Sequence, residues 1–238
     1  MNPSPVSFPA RARRDIVLSG ELLDGGGRPC VVSHPHPLAG GDMDHPVVVA
    51  LWRAAARAGL RALRYDFRGV GRSTGSLTAN SPLATDDLGG AIDFLGGGEV
   101  LAIGYSYGAR VTLHALRAGE AIARAALVAL PTRLPANRAA MSNLILGRPV
   151  RTEQFTDSPD LALLAPLAHA LRTFAGEQDP LVDAADLRAR GVEPVLFPGC
   201  NHFFSRRLGN QRPLEADLDA LGAAVIAFLK DAGGAAGG

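Results

Sequence analysis

The stretch "EVLAIGYSYGARVTLHALRAG", residues 99–119, decides the fold. Its first part, residues 99–104, is a short apolar run that predicts a strand, and residues 107–119 are typical of a helix. Between them, "GYSYG" (104–108) matches Gly-x-Ser-x-Gly, a motif whose serine lies on a sharp turn from strand to helix. We therefore predict a strand, a tight turn and a helix, with Ser106 at the turn.

A second Gly-x-Ser-x-Gly match, "GRSTG" at residues 71–75, raises the question of which serine does chemistry. This match leads into "SLTANSP", a polar stretch with no helix directly behind it. Only a strand-to-helix turn lifts the serine hydroxyl clear of the sheet and places the following N–H beside it. Ser106 is therefore the candidate nucleophile, and Ser73 is interpreted as a loop serine.

The rest of the chain alternates short β-type runs with longer helical stretches. This pattern is typical of an α/β domain with a mostly parallel sheet and helices on both faces. The alternation of apolar and polar residues in "RRDIVLSGELLDG" (13–25) predicts an antiparallel hairpin at a sheet edge. Ser81 and Pro82 look like the N-cap and first residue of a helix. The length of 238 residues suits one domain, 1–238.

The composition limits which binding partners and which cellular compartment the sequence predicts. Hydrophobic residues make up 47% and charged residues 20%, and the net charge is +1, which does not suggest a polyanionic partner such as a nucleic acid. The start of the sequence lacks the apolar core of a signal peptide, and no apolar run of about 18 residues predicts a membrane span. With two cysteines expected as reduced thiols, Cys30 and Cys200, we predict a cytoplasmic protein.

One segment interrupts the alternation. Residues 131–160 contain several prolines, mixed polarity and weak periodicity, and long irregular insertions in a compact domain are usually functional or disordered. We predict a small lid over the site here. The Gly/Ala-rich end, residues 231–238, is expected to be a flexible tail.

A serine hydroxyl is a weak nucleophile near neutral pH and needs a base, which a carboxylate in turn orients. His114 and His169 fall on predicted helices, and His34, His36 and His45 precede the candidate nucleophile. His202, in "PGCNHFF", lies in a loop after the last predicted strand, from which it reaches the carboxyl edge of the sheet. His202 is therefore the candidate base.

Asp179, in "AGEQDPLV", follows the strand before the last one and is the candidate orienting acid. Asp160, Asp183 and Asp186 are rival acids, but their predicted helical positions suit the role less. The resulting chain order, Ser then Asp then His, is that of α/β-hydrolase triads.

The chain resembles the α/β-hydrolases, and in particular the small bacterial group named "predicted alpha/beta superfamily esterase". The resemblance spans about residues 30 to 205 and rests on five blocks in that group's order: "SHPHPLAGGDMDH", "RYDFRGVGRSTG", "GYSYGA", "FAGEQDPLV" and "GCNHFF". It implies an eight-stranded sheet, no cofactor, and Ser106, Asp179 and His202 as the triad.

The resemblance also gives the loop "HPHPLAGG" a role: it would supply one of the two N–H donors of an oxyanion hole, which must be held in place before the reaction. One donor is expected from the backbone of Tyr107. Because Pro35 and Pro37 have no N–H, the second comes from His36 or Leu38. Aligning the first His-Pro pair with the family's His-Gly pair favours His36, and aligning the second favours Leu38. We predict His36 and keep Leu38 as the alternative.

Two interpretations that involve a cofactor compete with the serine triad. "HPH" (34–36) and "DMDH" (42–45) contain metal-ligand types, but no metalloenzyme spacing such as H-E-x-x-H occurs. "RGVGRSTG" (68–75) half-matches a dinucleotide fingerprint, but the helix that it should open is missing. We expect neither a metal nor a nucleotide cofactor. Asp66 and Arg68 are expected to hold the loop in place by hydrogen bonds rather than to touch substrate.

The leading functional hypothesis is a serine hydrolase that cleaves a small-molecule carboxylic ester or thioester through an acyl-enzyme on Ser106. The alternatives are an acyltransferase that uses the same acyl-enzyme, and a non-catalytic binding protein with the same fold. The presence of all three triad residue types argues against the binding protein. The natural substrate and the oligomeric state are not encoded in any motif of this sequence.

Overall fold

The computed structural model describes residues 2–78, 80–145, 148, 151–206 and 212–231. The strands are β1 Ser4–Pro9, β2 Val17–Asp24, β3 Pro29–Ser33, β4 Arg61–Tyr65, β5 Val100–Tyr105, β6 Ile122–Val128, β7 Arg133–Pro135, β8 Phe155–Asp157, β9 Leu171–Gly176 and β10 Val195–Phe197. The helices are α1 Pro46–Arg57, α2 Ser81–Phe94, α3 Tyr107–Arg117, α4 Arg138–Ile145, α5 Ala184–Arg188 and α6 Glu215–Lys230.

The main sheet has eight strands in the order β1-β2-β4-β3-β5-β6-β9-β10. Strand β2 runs antiparallel to both of its neighbours, β1 and β4, and the pairs from β4 to β10 are parallel. A mostly parallel sheet of eight strands is what the sequence and its family likeness predict, and the structure confirms it.

Helices cover both faces of this sheet, as predicted. On one face α1 and α6 pack together over a core that includes Trp52, Leu221 and Val225. On the other face α2 and α3 pack together over a core that includes Leu88 and Val111. Because both faces of the central strands are buried, the central strand β5 consists of buried residues along its whole length, as parallel sheets require.

Two local predictions change in the folded chain. The stretch 13–25, predicted to form a hairpin, contains a single strand, β2. Strand β2 pairs with β1, which contains two prolines and lies at the edge of the sheet. Proline is tolerated there because an edge strand has N–H groups that need no ladder partner. Helix α2 is capped one residue earlier than predicted, by Asn80, whose Oδ1 accepts from Leu83 N–H.

The segment 131–160 departs from the main sheet. Its described parts contain the two-stranded ribbon β7–β8, helix α4 and short 3-10 turns at Thr152–Gln154 and Pro159–Leu163. Residues 146–147 and 149–150 of the predicted lid, and residues 232–238 of the predicted tail, lie outside the described residues.

None of the helices in the described ranges combines the length and apolar character that a bilayer crossing requires. Cys30 and Cys200 are both buried free thiols.

Candidate active site

Ser106 lies on a sharp turn between β5 and α3. Its backbone has φ 54° and ψ −109°, a conformation that residues other than glycine seldom adopt. The Ser106 N–H donates to the Val128 carbonyl at 2.8 Å, which ties the turn to the end of β6. Strain of this kind persists only where the surroundings hold it, and it is concentrated at functional sites.

The two glycines of "GYSYG" are required by close backbone contacts. A Cβ on Gly104 would lie 2.4 Å from the Gly108 carbonyl oxygen, and a Cβ on Gly108 would lie 2.3 Å from that of Ser33. Neither distance is compatible with a side chain, because the obstructing atoms belong to the backbone. The motif therefore allows α3 to start directly against the ends of β3 and β5.

Ser106, His202 and Asp179 form one chain of hydrogen bonds. His202 Nε2 lies 2.9 Å from Ser106 Oγ, and His202 Nδ1 lies 2.7 Å from Asp179 Oδ2. All three residues are buried, between 5% and 6% exposed. An ionised carboxylate can only accept, so Nδ1 carries the proton and Nε2 faces the serine hydroxyl as the acceptor.

The loops after β9 and β10 hold the acid and the base. Asp179 N–H donates to Gly176 O, Asp179 Oδ1 accepts from Leu181 N–H, and Gln178 N–H crosses to Cys200 O. In the second loop, the side chain of Asn201 accepts from two following N–H groups, and Tyr105 Oη donates to the His202 carbonyl at 3.0 Å. Each side chain is thus set by its own turn and by a contact with a neighbouring loop.

The rival acids are engaged elsewhere. Asp160 accepts from Arg110 Nε and, at 2.9 Å, from His114 Nε2. Asp183 caps α5 and pairs with Arg133. Among the four aspartates considered from the sequence, the structure brings only Asp179 to the imidazole of His202.

Ser73 is buried and has a structural set of partners. Its Oγ accepts from Ser19 N–H at 2.9 Å and donates to the Asp66 carbonyl at 2.7 Å. The hydroxyl therefore joins β2 to the loop after β4. The serine of the second Gly-x-Ser-x-Gly match thus stabilises a loop in this fold.

The backbone N–H groups of Tyr107 and His36 lie at the mouth of the site. Both residues line the same pocket as Ser106 and His202, and within the described chain neither N–H donates to another protein group. Leu38 N–H instead donates to His36 Nδ1 at 3.2 Å, and the Leu38 side chain is 68% exposed. The Leu38 N–H thus already has a partner, and His36 as the second oxyanion donor stays a prediction.

The other residues of this loop have internal partners. His34 is buried, with Nδ1 donating to Pro35 O at 2.8 Å and Nε2 accepting from Phe67 N–H at 3.0 Å, and burial lowers its pKa to about 3. Asp42 Oδ1 accepts from Asp44 N–H at 2.9 Å. In the part of the chain that the structure describes, no three His, Cys, Asp or Glu side chains meet as metal ligands.

Asp66 and Arg68 hold loops, as expected from the sequence. Asp66 Oδ1 accepts from Met43 N–H at 2.9 Å, which links the loop after β4 to the loop before α1. Arg68 forms ion pairs with Asp86 and Asp87 on α2. Both side chains therefore fix the backbone around the site.

The pocket in front of Ser106 encloses about 650 Å³, including space open to solvent. Most of its lining is apolar, and the polar side chains are Ser106, Arg110 and three histidines. Pro131, Leu134, Pro135 and Met141 line one side, so the start of the segment 131–160 borders the site. Its action as a lid stays a prediction.

Sequence reasoning does not identify Tyr105 or Arg110 as site residues, and it considers His45 only as a histidine that precedes the nucleophile and as a metal-ligand type. His45 lines the pocket, and its ring lies 5.1 Å from that of Tyr105. Its Nδ1 accepts from Val47 N–H as the cap of α1, and burial lowers its pKa to about 4. Arg110 lies on the first turn of α3, four residues after Ser106, which is the N-cap residue of that helix. That spacing is the one signal that the sequence offered.

Comparison with solved structures shows which fold this is. An α/β serine hydrolase homologue from Coxiella burnetii is 22% identical, with a TM-score of 0.69 over 96% of this chain and 98% of that one. A Xanthomonas campestris α/β serine hydrolase without lid is 20% identical, with a TM-score of 0.65 over 97% of each chain. The Pyrococcus furiosus esterase Pf2001 is 18% identical, with a TM-score of 0.68 over 96% of this chain and 91% of that one.

Comparison with known sequences says less about this chain than comparison with solved structures does. The uncharacterized protein RP471 of Rickettsia prowazekii is 28% identical over 191 residues, which cover 73% of this chain and 71% of that protein. No protein-family model matches the chain. The likeness to α/β-hydrolases predicted from the sequence is thus confirmed at the level of the fold.

Proposed function

The chain has the α/β-hydrolase fold, and from that premise we propose that it is a serine hydrolase that cleaves a carboxylic ester or thioester. The observation that carries the proposal is the hydrogen-bond chain from Ser106 Oγ through His202 to Asp179, at 2.9 and 2.7 Å, on a strained strand-to-helix turn. Two N–H groups beside it, on Tyr107 and His36, have no partner within the described chain. These parts are sufficient for acyl transfer to a serine.

In the first half of the reaction, Ser106 Oγ attacks the carbonyl carbon while His202 Nε2 takes the hydroxyl proton. The carbonyl oxygen becomes an oxyanion that accepts from Tyr107 N–H and His36 N–H. Asp179 keeps the proton on Nδ1 and stabilises the imidazolium. When the tetrahedral intermediate collapses, His202 returns the proton to the leaving oxygen or sulfur, and the acyl group stays on Ser106.

In the second half, His202 Nε2 takes a proton from a water molecule that attacks the acyl-enzyme. The same two N–H groups stabilise the second oxyanion. Collapse releases the carboxylic acid and restores the Ser106 hydroxyl. An alcohol or thiol acceptor in place of water would give acyl transfer, so product analysis with and without such an acceptor distinguishes the two activities.

The test is active-site labelling with a fluorophosphonate, read by peptide mass spectrometry. We expect the adduct on Ser106, no adduct in Ser106→Ala, and a loss on the order of 10³- to 10⁶-fold in kcat for that variant on a panel of acyl esters and thioesters. Ser73→Ala is the matched control, because it removes the serine of the second motif.

The control should still be labelled. It should lose about 1–3 kcal/mol of stability, because Ser19 N–H is left buried without its acceptor. An adduct on Ser73, or full activity in Ser106→Ala, would overturn the proposal.

A further inference from the structure

Arg110 brings a fixed positive charge to the pocket in front of Ser106. It lies on the first turn of α3, where its N–H donates to the Ser106 carbonyl at 3.2 Å, and its side chain lines the pocket. Among the residues that line this pocket, Arg110 is the one that is charged at every physiological pH, and no Asp or Glu is among them. A largely apolar pocket therefore contains one guanidinium, which is ion-paired with Asp160.

The way in which Arg110 is held leaves its outer nitrogens free. Asp160 accepts from Arg110 Nε through Oδ2, while its other oxygen accepts from His114 Nε2 at 2.9 Å. Because the second oxygen of Asp160 is occupied by His114, Asp160 binds the guanidinium through Nε alone. Within the described chain neither Nη1 nor Nη2 has a hydrogen-bond partner, although the side chain is only 17% exposed.

The guanidinium lines the same pocket as Ser106, His36 and Tyr107. Arg110 lies one helical turn beyond Ser106, and its backbone N–H donates to the Ser106 carbonyl. Its charge also adds to the effect of burial in lowering the pKa of the His36 ring. A group bound by Arg110 would thus lie in the same pocket as the reacting carbonyl.

We propose that the substrate of this site carries a carboxylate, which Arg110 binds through Nη1 and Nη2 while Asp160 and His114 hold the guanidinium in place. The proposal rests on the proposed hydrolase function and narrows its substrate class to esters or thioesters of carboxylated acids, alcohols or thiols. The planar fork of arginine matches a carboxylate with two parallel hydrogen bonds. The two free nitrogens match the two oxygens of one carboxylate, whereas a phosphate dianion would require further donors.

The experiment compares three esters of matched size on wild type and Arg110→Gln. Phenyl hexanoate is neutral, monophenyl adipate carries the carboxylate on the acyl part, and 4-carboxyphenyl hexanoate carries it on the alcohol part. The measured quantity is kcat/KM for each carboxylated ester divided by that for phenyl hexanoate, which cancels general damage to the site.

We expect wild type to favour one carboxylated ester, and Arg110→Gln to lower that ratio on the order of 10- to 100-fold, because a charge-assisted pair is lost. Which of the two ratios falls identifies the part of the substrate that faces Arg110. Arg133→Gln is the matched control, because Arg133 pairs with Asp183 and does not line the pocket. The control should keep the wild-type ratios, and circular dichroism checks that both variants fold.

Binding of adipate, measured by calorimetry at fixed ionic strength, tests the inference without turnover. Adipate should bind wild type on the order of ten times or more tighter than Arg110→Gln. Equal ester ratios and equal adipate affinity in the two proteins would overturn the inference and leave the hydrolase proposal intact. If wild type cleaves none of the three esters, the hydrolase proposal is in doubt, and the adipate titration still decides the role of Arg110.

Discussion

At the scale of single residues, identical motifs have different roles because their backbones differ. Ser106 and Ser73 both sit in Gly-x-Ser-x-Gly, yet only Ser106 has the strained backbone and a histidine at its hydroxyl. The Ser73 hydroxyl donates its one hydrogen to the Asp66 carbonyl and accepts from Ser19 N–H. A hydroxyl so engaged has no base within reach, so the surroundings and not the motif determine its chemistry.

The role proposed for Asp179 is tested by Asp179→Asn. An amide at this position accepts from His202 poorly and favours the wrong imidazole tautomer, so we expect kcat to fall on the order of 10⁴-fold while the fold is kept. Steady-state kinetics and circular dichroism on the purified variant measure both.

Asp183→Asn is the control for this prediction. Asparagine can still cap α5 in place of Asp183, and the residue does not touch His202. Near-full activity in Asp179→Asn together with a large loss in Asp183→Asn or Asp160→Asn would show that the orienting acid is a different residue.

At the scale of elements, the site depends on how closely α3 approaches the sheet. The first turn of α3 lies against the end of β3, and the loop that follows β3 supplies His36. Ser106 and the two N–H groups therefore share one junction of two strands and a helix. Displacement of α3 moves nucleophile and oxyanion donors together.

Gly108→Ala tests this junction. The added methyl group would lie 2.3 Å from Ser33 O and 2.8 Å from His34 O, and backbone atoms can yield only if the helix or the loop moves. We expect the free energy of unfolding, measured by urea titration, to fall by about 1–3 kcal/mol or more. We also expect fluorophosphonate to label Ser106 more slowly.

Gly98→Ala is the matched change. Gly98 precedes β5, no atom lies within 4 Å of the added Cβ, and its backbone is not in the left-handed region. This variant should stay within about 0.5 kcal/mol of wild type. If Gly108→Ala is as stable and as reactive as Gly98→Ala, the conclusion that α3 lies in close contact with the end of β3 is wrong.

At the scale of the whole molecule, stability depends on keeping histidines neutral. Burial lowers the pKa of His34 to about 3 and that of His45 to about 4, below the ordinary value of 6.5. Below pH 6.5 the unfolded chain therefore binds protons that the folded chain does not bind. The free energy of unfolding must fall as the pH drops from 6.5 toward these values.

His34→Gln isolates one of these contributions. We expect the free energy of unfolding of wild type to fall more steeply between pH 6.5 and 5 than that of the variant, by up to about 1.4 kcal/mol per pH unit. Urea titrations at half-unit intervals measure the two slopes. Parallel curves for the two proteins would show that His34 is protonated in the folded state over this range.

The sequence by itself determined the alternation of strands and helices through the centre of the chain, the strand-to-helix turn and the candidate serine, base and acid. These features are local: apolar periodicity, two glycines around a serine, and polar residues at strand ends in the order Ser, Asp, His. Because the carboxyl ends of parallel strands meet at one edge, the alternating pattern was enough to bring Ser106, Asp179 and His202 together.

Only the tertiary structure decided the features that depend on contacts between distant parts of the chain. It distinguished Asp179 from Asp160, placed Leu38 away from the pocket, and revealed Arg110 as a pocket residue. It also paired β1 with β2 at the edge of the sheet. The physical reason is that propensity and spacing act over a few residues, whereas the partner of a buried polar group is set by packing; Ser106 and His202 are 96 residues apart.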